Sequence, residues 1–94
     1  MFEVDQERFE IRYGKQVLDL TPAEFRLLAT LVGHPGRVFN RDQLMNQLYS
    51  DHRIVTDRTV DSHIKNLRKK ISAYIPDREV IVSIYGIGYK YNFD

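Results

Sequence analysis

The sequence predicts an α+β domain in which an N-terminal antiparallel sheet is followed by three helices and a C-terminal β-hairpin. Apolar residues alternate over the first twenty residues, recur at helical spacing between residues 21 and 75, and alternate again after Pro76. A period of two residues is typical of strands, and a period near 3.6 is typical of helices. Ninety-four residues suffice for one domain, so we assign the whole range 1–94 to a single unit.

The predicted sheet occupies residues 1–20. Phe9, Ile11 and Tyr13 are spaced by two, and the same spacing recurs on either side of them. Alternation of this kind indicates strands that bury one face. Gly14 provides a tight turn after Tyr13, so we expect about three strands.

The first two predicted helices begin with the same capping pattern, in a helical core that spans residues 21–75. Thr21 precedes Glu24 by three residues, and Asn40 precedes Gln43 by three. In a capping box, each of the two side chains accepts a hydrogen bond from the backbone of the other residue. The apolar faces of these helices contain Leu27, Leu28, Leu31 and Val32 in the first and Leu44, Met45 and Leu48 in the second.

The predicted third helix covers about residues 57–75 and has two contrasting faces. With an advance of about 100° per residue, its apolar side chains fall in a stripe about 80° wide. The stripe consists of Val60, Ile64, Leu67, Ile71 and Tyr74. The other face is basic, because the segment 58–70 has five basic residues against one acid, a net charge of +4 in a chain of +1. Residues 1–24, by contrast, have a net charge of −3.

The polar face of this helix combines two kinds of side chain that nucleic-acid recognition requires. Lysine and arginine suit phosphates, whereas short polar side chains suit base edges. We therefore expect phosphate contacts from Arg58, Lys65, Arg68 and Lys69, and base contacts from Thr59, Ser62 and Asn66. A hairpin with a Gly86-Ile87-Gly88 tip follows at residues 79–93. The order of helix, connection, recognition helix and hairpin wing predicts a winged helix-turn-helix that binds double-stranded DNA.

Four segments together resemble the C-terminal effector domain of OmpR/PhoB-type bacterial response regulators. They are LTPAEFRLL, RVFNRDQL, DRTVDSHIKNLRKK and YGIGYKY. The resemblance implies a four-stranded N-terminal sheet and sequence-specific binding to promoter DNA, with two protomers in tandem on direct repeats. It also implies a cytoplasmic two-component phosphorelay in which a receiver domain is phosphorylated on an aspartate. These residues contain no receiver domain, so we expect the isolated output half of a transcription regulator.

The resemblance also assigns roles to individual residues. Arg58, Thr59 and His63 match positions near the DNA backbone and groove, and Lys65 and Arg68 match basic positions of the recognition helix. Tyr49 stands where many members have a phosphate-contacting tryptophan, and Tyr89 matches a wing residue. The loop implied to contact RNA polymerase is Ser50, Asp51, His52, Arg53, Ile54 and Val55. Two positions depart from the family. Asn66 stands where some members have a base-reading arginine, and Tyr85 stands where many members have an arginine that enters the minor groove.

Other classes of function find little support in the sequence. The chain has no cysteine, and its three histidines are spread over different elements, so we expect no metal and no cofactor. Asp61, Ser62 and His63 are successive helical residues that point in different directions and cannot form a catalytic triad, so we do not expect an enzyme. No apolar run has the length of a membrane span. A protein-interaction winged helix that docks its basic face on an acidic partner remains the alternative.

Overall fold

The computed structural model describes residues 2–48 and 57–92, with the side chains of the third helix described from residue 60 onward. The elements are β1 (Phe2–Asp5), β2 (Glu10–Tyr13), β3 (Gln16–Val17), α1 (Pro22–Val32), β4 (Phe39–Asn40), α2 (Arg41–Leu48), α3 (Asp57–Ser72), β5 (Ile81–Ile84) and β6 (Gly88–Tyr91). This order confirms the predicted α+β class, with a sheet, three helices and a terminal hairpin.

The N-terminal sheet is antiparallel, with the strand order β1-β2-β3. Phe2 pairs with Tyr13 and Arg12 pairs with Val17. The alternation correctly predicts three strands, whereas the four strands implied by the resemblance are not found among the described residues. The Leu18 amide still donates to the Ile11 carbonyl at 2.9 Å, but the chain then turns into α1.

Both predicted capping boxes are present. The Glu24 amide donates to Thr21 Oγ1 at 3.2 Å, and the Thr21 amide donates to Glu24 Oε1 at 2.9 Å. At the start of α2, the Gln43 amide donates to Asn40 Oδ1 at 2.8 Å and the Asn40 amide donates to Gln43 Oε1 at 2.9 Å. These bonds satisfy amides that a helix start otherwise leaves without partners, so they define where each helix begins.

The hydrophobic core lies between the three helices and the two sheets. The predicted stripe of α3 faces this core: Val60, Ile64, Leu67 and Ile71 are buried, and Tyr74 is half-buried against them. The fully buried leucines of α1 pack in the same cluster. Because α3 uses one narrow stripe for packing, its remaining circumference is available for polar contacts.

A second antiparallel sheet has the strand order β4-β6-β5. The alternation predicts its hairpin but not β4, which has two residues and no periodic signal. Gly88 allows the close approach of β4 to β6, because a Cβ atom there would collide with the Phe39 carbonyl oxygen. The buried residues of the hairpin include Ile81, Tyr89 and Tyr91, whereas Val82 and Ile84 of β5 are half-buried.

Candidate nucleic-acid interface

The outward face of α3 consists of exposed polar residues: Ser62, Lys65, Asn66 and Lys69. Among the residues that the structure describes, none of these four side chains makes a hydrogen bond or ion pair. Their donors and acceptors are therefore available to a ligand. The two lysines make the face positive, since it contains no carboxylate between residues 62 and 72.

Asp61, the one acid in the basic segment, bonds to residues of α2 and β6 and not to the outward face. Asp61 Oδ1 accepts a bond from Arg41 Nε of α2 at 2.9 Å and another from the Tyr89 hydroxyl of β6 at 2.5 Å. Arg41 partly neutralises the carboxylate, so Asp61 offsets little of the positive charge on the outward face.

The bonds made by Asp61 also shift the pKa of the groups involved. Burial acts to raise the pKa of Asp61, but the hydrogen bonds from Tyr89 and Arg41 outweigh it and lower that pKa below its ordinary value. Burial and the bond to Asp61 raise the pKa of the Tyr89 hydroxyl. At neutral pH the tyrosine is therefore the donor and the carboxylate is the acceptor.

Lys70 and Arg68 are basic residues of the same segment that bond within the domain. Lys70 Nζ lies 2.6 Å from Glu24 Oε1, and the Glu24 side chain is only 3% exposed. Arg68 donates to the Ile81 carbonyl and to Ser83 Oγ. Of the basic side chains described in α3, Lys65 and Lys69 are thus the two without an internal partner.

The tip of the hairpin projects two apolar side chains into solvent. Tyr85 is 101% exposed and Ile87 is 56% exposed. Gly86 between them has φ of 73°, a left-handed conformation that glycine adopts without strain and that closes the turn. The tip therefore offers apolar surface and no charge at a position where many relatives are expected to carry an arginine.

The structure changes the interpretation of two predicted contact residues. Tyr89 is only 6% exposed and its hydroxyl is bonded to Asp61, so it lies beneath the surface rather than on it. Arg68 is half-buried with its guanidinium bonded to β5, whereas the sequence predicts a phosphate contact. His63 is half-buried and makes no bond to the other described residues.

Several predicted site residues lie outside the described residues. They are Tyr49, the loop of Ser50, Asp51, His52, Arg53, Ile54 and Val55, and the side chains of Arg58 and Thr59. Sequence reasoning missed Arg41 and Ser83, which contact α3 from α2 and β5. The one signal that could have led to Arg41 is the isolated acid Asp61 in a basic segment, since a half-buried carboxylate needs a partner.

A cavity of about 580 Å³ lies between α1 and α2. Residues of these helices and the segments beside them line it, and none comes from α3 or the hairpin. Within the described ranges there is also no cluster of His, Cys, Asp and Glu that could hold a metal ion. No described helix is long and apolar enough to span a bilayer.

The fold has three helices, the third with an outward polar face, and a β-hairpin follows them. This arrangement defines the winged helix-turn-helix class. Residues 14–91 match the model of the family described as "Transcriptional regulatory protein, C terminal". The chain belongs to this family, the effector domains of OmpR/PhoB-type response regulators.

Known proteins of this kind are similar over nearly the whole chain. The transcriptional regulatory protein BaeR of Escherichia coli O6:H1 is 53% identical over 91 residues, which cover 97% of this chain and 38% of BaeR. The DNA-binding domain of AdeR, solved with an intercistronic region, has a TM-score of 0.83 and 29% identity over 99% of this chain and 95% of its own.

The RstA DNA-binding domain of Klebsiella pneumoniae, solved with the RstA box, has a TM-score of 0.79 and 27% identity. It covers 97% of this chain and 90% of its own. The chain spans less than two-fifths of the length of BaeR, so the similarity concerns the effector region.

Proposed function

We propose that this domain binds specific double-stranded DNA sequences at promoters, as the output domain of a two-component transcription regulator. The observation that carries the proposal is the outward face of α3. Two lysines that bond to no described residue lie there beside the exposed Ser62 and Asn66. Membership in the family supports it, as do the DNA complexes of AdeR and RstA.

The dimensions of α3 suit the major groove of B-form DNA. Sixteen residues give a helix about 24 Å long, and the groove is about 12 Å wide, enough for one helix. Lys65 and Lys69 would contact phosphates on the groove walls, and Ser62 and Asn66 would contact base edges. Asparagine pairs well with the N6 and N7 atoms of adenine, so we propose that Asn66 reads an adenine.

The hairpin would lie over the neighbouring minor groove. The uncharged tip with Tyr85 and Ile87 lacks the electrostatic attraction that an arginine has for a narrow A-tract groove. We therefore expect a weaker A-tract preference at this position than in arginine-bearing relatives. Arg58, Thr59, His63 and Tyr49 remain proposed contacts on the basis of the sequence.

Further partners follow from the family as proposals. They are a second protomer in tandem on a direct repeat, a receiver domain, and RNA polymerase through residues 50–55. In bacteria this places the protein in the cytoplasm. The proposal includes no catalytic role and no cofactor.

Salt titration combined with site selection tests the proposed function. A pool of randomised duplexes should yield a preferred sequence, with two half-sites about one helical turn apart if protomers bind in tandem. With about four to six phosphates neutralised, log K should fall against log salt with a slope of about −4 to −5. Absence of binding to any duplex at about 50 mM salt would contradict the proposal.

A further inference from the structure

Five side chains join the recognition helix to the hairpin through a network that the proposed DNA contacts do not use. We call this network the helix–hairpin clamp. It consists of Arg41, Asp61, Arg68, Ser83 and Tyr89.

The clamp attaches the hairpin to α3 at two points. Asp61 accepts from the Tyr89 hydroxyl of β6, while Arg68 donates to the Ile81 carbonyl at 2.9 Å and to Ser83 Oγ at 2.7 Å in β5. Asp61 and Arg68 are seven residues apart, so they lie on the same edge of the helix about 10 Å apart along its axis. The attachments leave α3 at two separate points, which limits how far the hairpin can pivot about either one.

The two attachments meet at one rung of the hairpin. Ser83 and Tyr89 are cross-strand partners, and Ile84 and Gly88 form the next rung before the tip. The tip with Tyr85 and Ile87 therefore begins about two residues beyond the clamp. With so short an extension, the clamp is close enough to influence the position of the tip relative to α3, together with the pairing of β6 with β4.

Packing around the Tyr89 ring reinforces these bonds. The guanidinium of Arg41 lies 5.7 Å from the ring centroid, and that of Arg68 lies 5.5 Å from it. Both distances fall within the range of cation–π attraction. Arg41 thus contacts both Asp61, the partner of the hydroxyl, and the Tyr89 ring, whereas of these two groups Arg68 contacts the ring alone. Tyr89 itself is almost completely buried.

We propose that the helix–hairpin clamp sets the sequence preference of the domain by presenting α3 and the hairpin to DNA as one rigid unit. This inference rests on the proposed function. A rigid pair of reading elements fits only duplexes whose two grooves are suitably spaced, which adds readout of DNA shape to base contacts. A loosened hairpin would adapt to any duplex, so discrimination would fall while non-specific binding would persist. Tyr89 is a positioning residue in this scheme and does not touch DNA.

The test uses Tyr89→Phe, which removes the hydroxyl and keeps the ring. Tyr74→Phe is the matched control, because Tyr74 is half-buried and its hydroxyl is outside the clamp. Each protein is titrated with the selected duplex and with a scrambled duplex of equal length. We expect Tyr89→Phe to lower the ratio of specific to non-specific affinity about five- to tenfold, since it breaks a hydrogen bond to a charged group.

Two further readouts separate positioning from a general loss of structure. The salt slope should not change in Tyr89→Phe, because no cation that contacts phosphate is removed. Ser83→Ala should have a smaller effect, about twofold, since Arg68 keeps its bond to the Ile81 carbonyl. An unchanged ratio in Tyr89→Phe, or an equal loss of affinity for both duplexes, would overturn the proposal.

A measurement without DNA keeps this inference separate from the proposed function. Residual dipolar couplings of the β5–β6 and α3 amides report the orientation of the hairpin relative to the helix. We expect Tyr89→Phe, but not Tyr74→Phe, to change or average this orientation. If the wild-type domain binds no duplex selectively, the proposed function is wrong. If the couplings are the same in all three proteins, the clamp does not set the hairpin orientation, whatever the outcome for DNA binding.

Discussion

Lys69 and Lys70 are adjacent in sequence but lie on different sides of α3. Lys70 is half-buried and bonds to Glu24 of α1, 46 residues away along the chain. Lys69 is exposed and makes no bond with the described part of the protein. The same contrast separates Arg68, which bonds to β5, from Lys65, which bonds to no described residue.

This difference shows that the charge of a segment is a poor measure of what it offers to a ligand. Of the five basic residues in segment 58–70, Arg68 and Lys70 already have internal partners, and the acid Asp61 is bonded as well. The inner side of α3 uses ions to fix the helix in the domain. The charged groups of the outer side are exposed, and it is the side we assign to DNA.

The largest effect is expected from a change on the inner side that creates a cavity. Ile64 is almost fully buried, so Ile64→Ala should lower the free energy of unfolding by about 2–5 kcal/mol. The neighbouring Lys65→Ala should change it by less than about 0.5 kcal/mol, because Lys65 is exposed. Urea denaturation followed by circular dichroism measures both values. Equal losses in the two variants would contradict the division of α3 into two sides.

The next largest effect on stability is expected from Glu24, the buried partner of Lys70. Glu24→Gln removes the charge that Lys70 binds, and we expect the free energy of unfolding at pH 7 to fall by about 1–3 kcal/mol. Glu3→Gln is the matched control, because Glu3 is exposed on β1 and has no partner among the described residues.

The Glu24 substitution also has a predicted pH dependence. Burial acts to raise the pKa of Glu24, but the bonds from Lys70 and Thr21 outweigh it and lower that pKa below the ordinary value of 4.5. A lowered pKa in the folded state stabilises the protein fully above pH 4.5 and loses that contribution as the pH falls through the folded-state value. The difference between wild type and Glu24→Gln should therefore shrink below pH 4.5. A difference that stays constant down to about pH 3 would contradict this assignment.

The sequence predicts those features that depend on neighbours within about four residues. Both capping boxes, the apolar stripe of α3 and the turn at Gly86 follow from local spacing, and the structure contains all of them. Helical neighbours at three and four positions determine packing and caps directly, so such patterns are readable without coordinates.

Contacts between distant residues could not be predicted in the same way. Asp61 bonds to Arg41 across 20 residues and to Tyr89 across 28. Nothing in the local spacing separates Lys70, which forms an ion pair, from Lys69, which forms none with the residues that the structure describes. For the same reason the sequence assigns Tyr89 to DNA, whereas its side chain is buried in the structure.

A change of intermediate size should come from the outer side of α3. Asn66 is exposed beside the lysines, and Asn66→Ala should cost about 1–3 kcal/mol of binding free energy at one base pair of the selected site. Duplexes changed at that pair should bind the variant and the wild type equally well. Competition titrations with single-base variants of the site measure the effect. If every duplex loses affinity to the same degree, Asn66 contacts the backbone and does not read a base.

The smallest effect is expected from Lys69, and its neighbour Lys70 provides the comparison. Lys69→Ala should weaken binding to all duplexes alike and reduce the salt slope by about 0.9, the contribution of one phosphate contact. Its free energy of unfolding should change by less than about 0.5 kcal/mol.

Lys70→Ala should do the reverse, because its charge is already paired with Glu24: the slope should persist while stability falls. Parallel salt titrations and urea denaturation of both variants measure the two quantities. A reduced slope in Lys70→Ala with an unchanged slope in Lys69→Ala would mean that the DNA-facing side has been assigned to the wrong lysine.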